Sequence, residues 1–206
     1  MANAMIIMLI WVAQISLVVV FADSGWLQAQ IVNEKQGVAD YLGADLVTSL
    51  GARADAAFRS FFVNTGVIDS VHRFLIPNAD VPKHGTEGLA PWFFVWLDDS
   101  LRTFWLMAYQ GIFRFLILSE WLPYMGALLL AASVDGLVIR KVRKENLGYA
   151  NPVRYRLGVR ALVVLAVVPL IYLTAPISIT PLFAPIWVIA LSMVLMMVAA
   201  NAQDRI

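Results

Sequence analysis

The chain has 206 residues and carries 15 Lys and Arg against 14 Asp and Glu, a net charge of +1. Hydrophobic residues make up 61% and charged residues 14%, where a soluble domain carries about 45–50% and about 25%. That balance excludes strong attraction to nucleic acid by charge alone, the lack of Cys excludes disulfides and thiolate chemistry, and the apolar excess asks for a bilayer.

Residues 5–22, MIIMLIWVAQISLVVVFA, form an uncharged run of 18, close to the roughly 20 helical residues that cross the hydrocarbon core. No Lys or Arg precedes it, and VFADSG is a poor small-x-small cleavage site. Residues 1–22 are therefore expected to be an uncleaved transmembrane anchor.

Residues 23–120 read as amphipathic helices at or outside the membrane. Leu27, Ile31, Val38, Leu42, Leu46 and Leu50 recur mostly at steps of four or seven. A second set follows from Ala54 through Phe58, Phe62, Ile68 and Val71 to Leu75. Gly51 and Asn64-Thr65-Gly66 are the expected breaks, and residues 76–91, with three of the nine prolines, read as an irregular linker. Residues 92–118 read as an interfacial helix, with Trp92, Trp96, Trp105 and Trp121 at headgroup level. Arg102 and Arg114 flank or interrupt its apolar run, and Arg114 and Glu120 read as interfacial charges. Ser119-Glu120 followed by Pro123 predicts a fresh helix start. One continuous helix through 101–139 is the competing reading.

Residues 121–139 form the second expected span. Gly126, Ala127, Ala131 and Ala132 allow close helix approach there, and Asp135 lies near its end, within reach of Arg140 and Lys141 as an interfacial ion pair. Residues 140–160 then carry seven cations: Arg140, Lys141, Arg143, Lys144, Arg154, Arg156 and Arg160. Cations in short loops resist translocation, so this basic loop is expected in the cytoplasm. Segment 23–100, with five cations against ten acids, falls on the periplasmic side. Residues 161–206 form a hairpin of two spans, 161–179 and 182–200, turning at ITPLF and ending in a short tail. Pro169, Pro176 and Pro185 are expected to kink these helices. The sum is an all-α polytopic protein with four spans and both termini cytoplasmic.

No nucleotide-, metal- or nucleophile-binding motif occurs, and His72 and His84 have no ligand-spaced companions. The chain is thus read as having no catalytic residue, no metal and no cofactor, hence as no enzyme. Asp135, Arg140, Lys141, Arg143, Lys144, Tyr149, Arg154 and Arg156 are the candidate partner- or lipid-binding residues, and anionic membrane lipid is one expected partner.

The stretch ASVDGLVIRKVRKENLGY resembles the Asp-Gly-Leu-Val-x-Arg signature of conjugative-transfer inner-membrane proteins. These occur in integrating conjugative elements and large plasmids as TraJ-type proteins that accompany the type IV coupling ATPase. Asp135, Gly136, Leu137, Val138 and Arg140 carry the match, with Arg143 and Gly148 more loosely. The Arg-Glu-Ser and Tyr-His-x-Ala-Lys runs that follow the signature in many such proteins are replaced here by KENLGYANPVRYRLGVR. The resemblance implies a scaffold of the bacterial inner membrane that seats or regulates the DNA-translocating ATPase of a type IV secretion channel, and the small residues of the second span support a homo-oligomer. Direct sequence-specific nucleic-acid binding is not expected, since the loop has no Gly-rich phosphate cradle and paired cations in a loop are common. A small channel or transporter and an entry-exclusion protein are the alternative readings.

Overall fold

The computed structural model describes residues 2–76, 90–146 and 151–202, and their side chains except those of residues 2–8, 10, 90 and 91. Residues 77–89 of the expected linker, His84 among them, and Gly148 and Tyr149 lie outside the described residues; the linker's last two residues, Ala90 and Pro91, begin a helix instead. Seven α-helices are described: α1 (Ala2–Phe21), α2 (Ser24–Leu42), α3 (Ala44–Phe58), α4 (Val67–Leu75), α5 (Ala90–Glu145), α6 (Pro152–Thr174) and α7 (Phe183–Asn201). Among the described residues no strand occurs. Helices α5, α6 and α7 are each long and apolar enough to cross a membrane. Residues 11–21 of α1 taken with α2, the two bent by 116° at their junction, make a fourth if the pair is one broken span. This is a membrane protein with three to four candidate spans.

The chain divides into two compact units, residues 1–116 with 172–180, and residues 117–171 with 181–206. In the first, Asp23 separates α1 from α2 and caps the latter, its Oδ2 accepting the Trp26 N–H at 3.0 Å. Breaks fall where glycine takes positive φ, at Gly43 (94°) and Gly66 (71°). Gly51 lies inside α3 instead of breaking it, because Ala52, Ala54, Ala56 and Ala57 around it are the strongest helix formers and offset a cost of about 1 kcal/mol. Two expected helices are thus three, with a π-helical turn at Arg59–Val63. The core packs Val18 of α1, Leu27 and Ile31 of α2, and Met107 of α5 together. The corner between α1 and α2 is tied to α5 by hydrogen bonds. Trp96 Nε1 donates to the Val20 carbonyl (3.2 Å), Thr103 Oγ1 to that of Ala22 (3.3 Å), and the Ser24 N–H to Asp99 Oδ2 (3.4 Å).

In the second unit, the remainder of α5 packs with α6 and α7. The helix start expected at Ser119-Glu120 does not occur, and α5 runs unbroken with Pro123 inside it. Proline removes one ladder hydrogen bond, but Trp121 and Met125 on either side are anchored against Ala184 and Val188 of α7 and hold the segment in line. Two glycines let helices approach closely. A Cβ on Gly136 would lie 2.6 Å from Ala199 Cβ and 2.8 Å from the Met196 oxygen, and one on Gly158 would lie 2.7 Å from Val198 Cγ2. Pro169 inside α6 cannot donate to the Leu165 carbonyl four residues back, and that carbonyl instead accepts the indole N–H of Trp187 at 2.8 Å.

Candidate functional site

The cation-rich region is less a loop than two helix ends. Residues 140–145 complete α5 and 152–160 begin α6, leaving only 146–151 between them. Asn151 caps α6, its Oδ1 accepting the N–H groups of Val153 (2.9 Å) and Arg154 (3.2 Å), with Pro152 at the first helical position where its missing donor costs nothing. The cations then sort by role. Arg143 turns inward, its Nη1 donating to the Ala200 carbonyl (3.1 Å) and to Asn201 Oδ1 (2.9 Å). A cation at the last carbonyls of α7 satisfies orphan acceptors and suits the negative end of that helix. Lys141, Lys144, Arg154, Arg156 and Arg160 are exposed, and Arg140 is half-buried. Asp135 is exposed too. Next to it in the signature, Gly136 is the residue that α7 requires, since any side chain there meets Met196 and Ala199.

The four expected interfacial tryptophans divide as well. Trp92 is exposed, Trp96 is exposed while its N–H reaches Val20, Trp105 meets Phe104 edge-on and Phe62 at a tilt, and Trp121 packs in the α5–α7 core. His72 ties α4 to α5, its Nε2 lying 3.0 Å from Asp98, which also pairs with Arg102 at 3.1 Å. Surface pairs of this kind contribute at most about 1 kcal/mol.

The most polar buried constellation escaped the sequence reading. Arg114, there an interfacial charge, is fully buried in the first unit beside Glu34, which is 2% exposed. Arg114 Nε donates to Glu34 Oε1 (2.7 Å) and Nη2 to Oε2 (2.8 Å), a two-point contact, and Gln110 Nε2 donates to the same Oε2 at 2.7 Å. Its remaining N–H groups go to backbone. Nη1 reaches the carbonyls of Tyr172 and Ala175, both at 2.6 Å, and Nη2 that of Ile177. All five guanidinium donors are thereby used. The Tyr172 carbonyl needs an outside donor because the residue four places on is Pro176. Close approach is possible because position 111 is glycine, where a Cβ would be 3.3 Å from the Leu173 oxygen. A signal was present: Leu27, Ile31, Glu34 and Val38 on α2, and Thr103, Met107, Gln110 and Arg114 on α5, each step by four, three and four. Polar residues stand there in apolar register.

A closed, saturated ion pair stabilises an arrangement and leaves no donor for a ligand. Among the described residues no group of His, Cys, Asp or Glu is arranged to hold a metal ion.

A family model described as "IncC plasmid conjugative DNA transfer protein DtrJ-like" matches residues 13–203. No curated protein and no solved structure matches the chain. The match spans nearly all of the sequence, and the chain belongs to that family: it is a protein of conjugative DNA transfer.

Proposed function

We propose that this DtrJ-like protein is a non-catalytic scaffold of the bacterial inner membrane, which seats or regulates the coupling ATPase that feeds DNA into a type IV secretion channel. Family membership carries the reading. The structure supports it in that its polar investments are internal clamps: Arg114 with Glu34, Arg143 on the end of α7, Trp187 on Leu165. Each fixes helices to one another, as a platform requires. In this reading the α5–α6 end, with Lys141, Lys144, Arg154, Arg156 and the segment bearing Tyr149, faces the cytoplasm and meets the motor, the chain assembles with copies of itself, and both termini are cytoplasmic. DNA is handled by the motor, not by sequence-specific contacts from this chain.

The test is transfer from donors lacking the chromosomal or plasmid copy and complemented with variants, together with recovery of the ATPase on detergent purification of the tagged scaffold. Neutralising Lys141, Arg154 and Arg156 together should lower both transfer and ATPase recovery at least tenfold, while membrane levels stay constant. Unchanged ATPase recovery with those residues neutralised refutes the proposed seat. A reduction of transfer when the protein is made only in recipients would identify it as an exclusion protein instead.

A further inference from the structure

Helices α2 and α3 bury their apolar stripes, with Leu27, Val38, Leu50 and Ala54 wholly enclosed. Helix α4 does not. Turned about its axis, it gathers Val67, Ile68, Val71, Phe74 and Leu75 into an arc of about 120°, with Asp69, Ser70, His72 and Arg73 around the remainder. A helix sorted in this way needs a cover for its apolar arc, yet no residue of α4 is buried. Phe74 is 82% exposed, Val67 and Leu75 are exposed beside it, and Ile68 and Val71 are half-buried. It is the polar edge that reaches α5, His72 Nε2 lying 3.0 Å from Asp98. The depth of that tie says what covers the arc. Helix α1 is uncharged and shows Leu17, Val20 and Phe21 outward, a surface for hydrocarbon. It ends beside Trp96, whose N–H reaches the Val20 carbonyl, and the chain then turns by 116° into α2. Trp92, Phe93 and Trp96 are exposed on α5 there, as in the aromatic belt of a membrane boundary. Asp98 is two residues from Trp96, about 3 Å along the helix. Helix α4 is thus held where apolar chain gives way to polar chain.

We infer that α4 is an interfacial helix, its apolar face seated in the hydrocarbon edge of one leaflet and its polar face among headgroups and water. The area on offer favours lipid over protein. From the π-helical turn to the end of α4, the exposed large apolar side chains are Phe61, Val63, Val67, Phe74 and Leu75, whereas a stable protein interface takes roughly 20–30 residues a side. A second copy of the chain would find too little there, while a bilayer sets no minimum. Asp69, His72 and Arg73 line an open hollow with Ile76, the side left to water. Asp69 and Arg73 cancel in charge, so the seat relies on hydrocarbon and needs no anionic lipid. This contact therefore differs in place and in chemistry from the lipid expected at the cations of the α5–α6 end, and it stands or falls apart from the proposed ATPase seat.

The chain has no Cys, so a single introduced cysteine carries one spin label. Val67→Cys and Phe74→Cys report on the apolar arc, Ser70→Cys and Arg73→Cys on the polar one. All four positions are exposed, so the labels displace no core. The full chain is reconstituted in phosphatidylcholine vesicles, and collisions of each label with oxygen, which concentrates in hydrocarbon, are compared with those of a water-soluble nickel chelate. The ratio of oxygen to nickel collisions should be severalfold higher at 67 and 74 than at 70 and 73, reversing between the neighbours Arg73 and Phe74. Leu75→Cys, in the same apolar arc, supplies a further reading should a label at 67 or 74 disturb the helix. Equal nickel access at all positions would put the arc in water, and shielding from both reagents at 67 and 74 would put it under protein. Either result overturns the inference. So would a pattern that appears only when phosphatidylglycerol is added, since charge and not hydrocarbon would then hold the helix.

Discussion

Trp187→Phe keeps an aromatic ring in place and removes one N–H, the donor that the Leu165 carbonyl receives at 2.8 Å because Pro169 cannot supply it. An acceptor left without a partner away from water costs about 1–3 kcal/mol, although measured couplings inside membrane proteins average about 0.6 and reach about 1.7 kcal/mol. Trp187 also packs on the Met125–Ala184–Val188 cluster, and the smaller ring forfeits about 1 kcal/mol of contact. We therefore expect Trp187→Phe to destabilise by about 2 kcal/mol. Pro169→Ala restores the backbone N–H that points at Leu165. In that background the same Trp187 substitution should cost only the packing part, a coupling of about 1 kcal/mol. Reversible unfolding of the four proteins in mixed detergent micelles, followed by helical circular dichroism, measures the cycle. Costs equal in both backgrounds to within about 0.3–0.5 kcal/mol would refute the idea that the indole replaces the proline's missing donor.

Other substitutions test the remaining clamps by the same unfolding assay. Arg114→Met should destabilise more than Glu34→Gln, because it strands a buried carboxylate together with the carbonyls of Tyr172, Ala175 and Ile177. Breaking such a pair from one side costs about 3–5 kcal/mol, and Arg114→Met belongs at the upper end. Gly136→Ala should cost about 1–3 kcal/mol by forcing Ala199 and Met196 apart. Gly126→Ala, with nothing within 4 Å of the new methyl, should instead stabilise by about 0.5–1 kcal/mol. Arg143→Gln should loosen the end of α7 by about 1 kcal/mol, seen as faster amide hydrogen exchange near Ala200.

The last apolar run was the most legible part of the fold, because an uninterrupted run has few alternatives. α7, expected at 182–200, is Phe183–Asn201. Punctuation was read less well. Gly51 and Gly43 look alike in a string, and only the alanines around Gly51 let it continue a helix while Gly43 takes positive φ. Ser119-Glu120 and Pro123 form a start signal that packing of Trp121 and Met125 overrides. The loop expected at 140–160 shrank because its cations are also good helix formers and Asn151-Pro152 begins α6 early. For the candidate site, the signature glycine was visible, but its neighbour Asp135 drew attention as the charged residue, and the contact belongs to Gly136. Glu34 was passed over inside the step of seven from Ile31 to Val38, where a carboxylate in apolar register pointed to a buried partner. That partner, 80 residues away, is fixed only by tertiary packing.

Helix α6 is incomplete on its own. Two of its backbone oxygens, at Leu165 and Tyr172, are left by prolines with no donor inside the helix, and both are served by side chains from elsewhere, Trp187 and Arg114. Lipid offers no substitute for either. During synthesis Arg114 has already been made when α6 emerges, whereas Trp187 follows it, so the segment settles in the bilayer only as its downstream neighbour is inserted beside it. A nascent chain whose α6 has left the ribosome before Trp187 has done so would hold a Leu165 carbonyl still without its donor, which makes the two C-terminal helices a single unit of biogenesis.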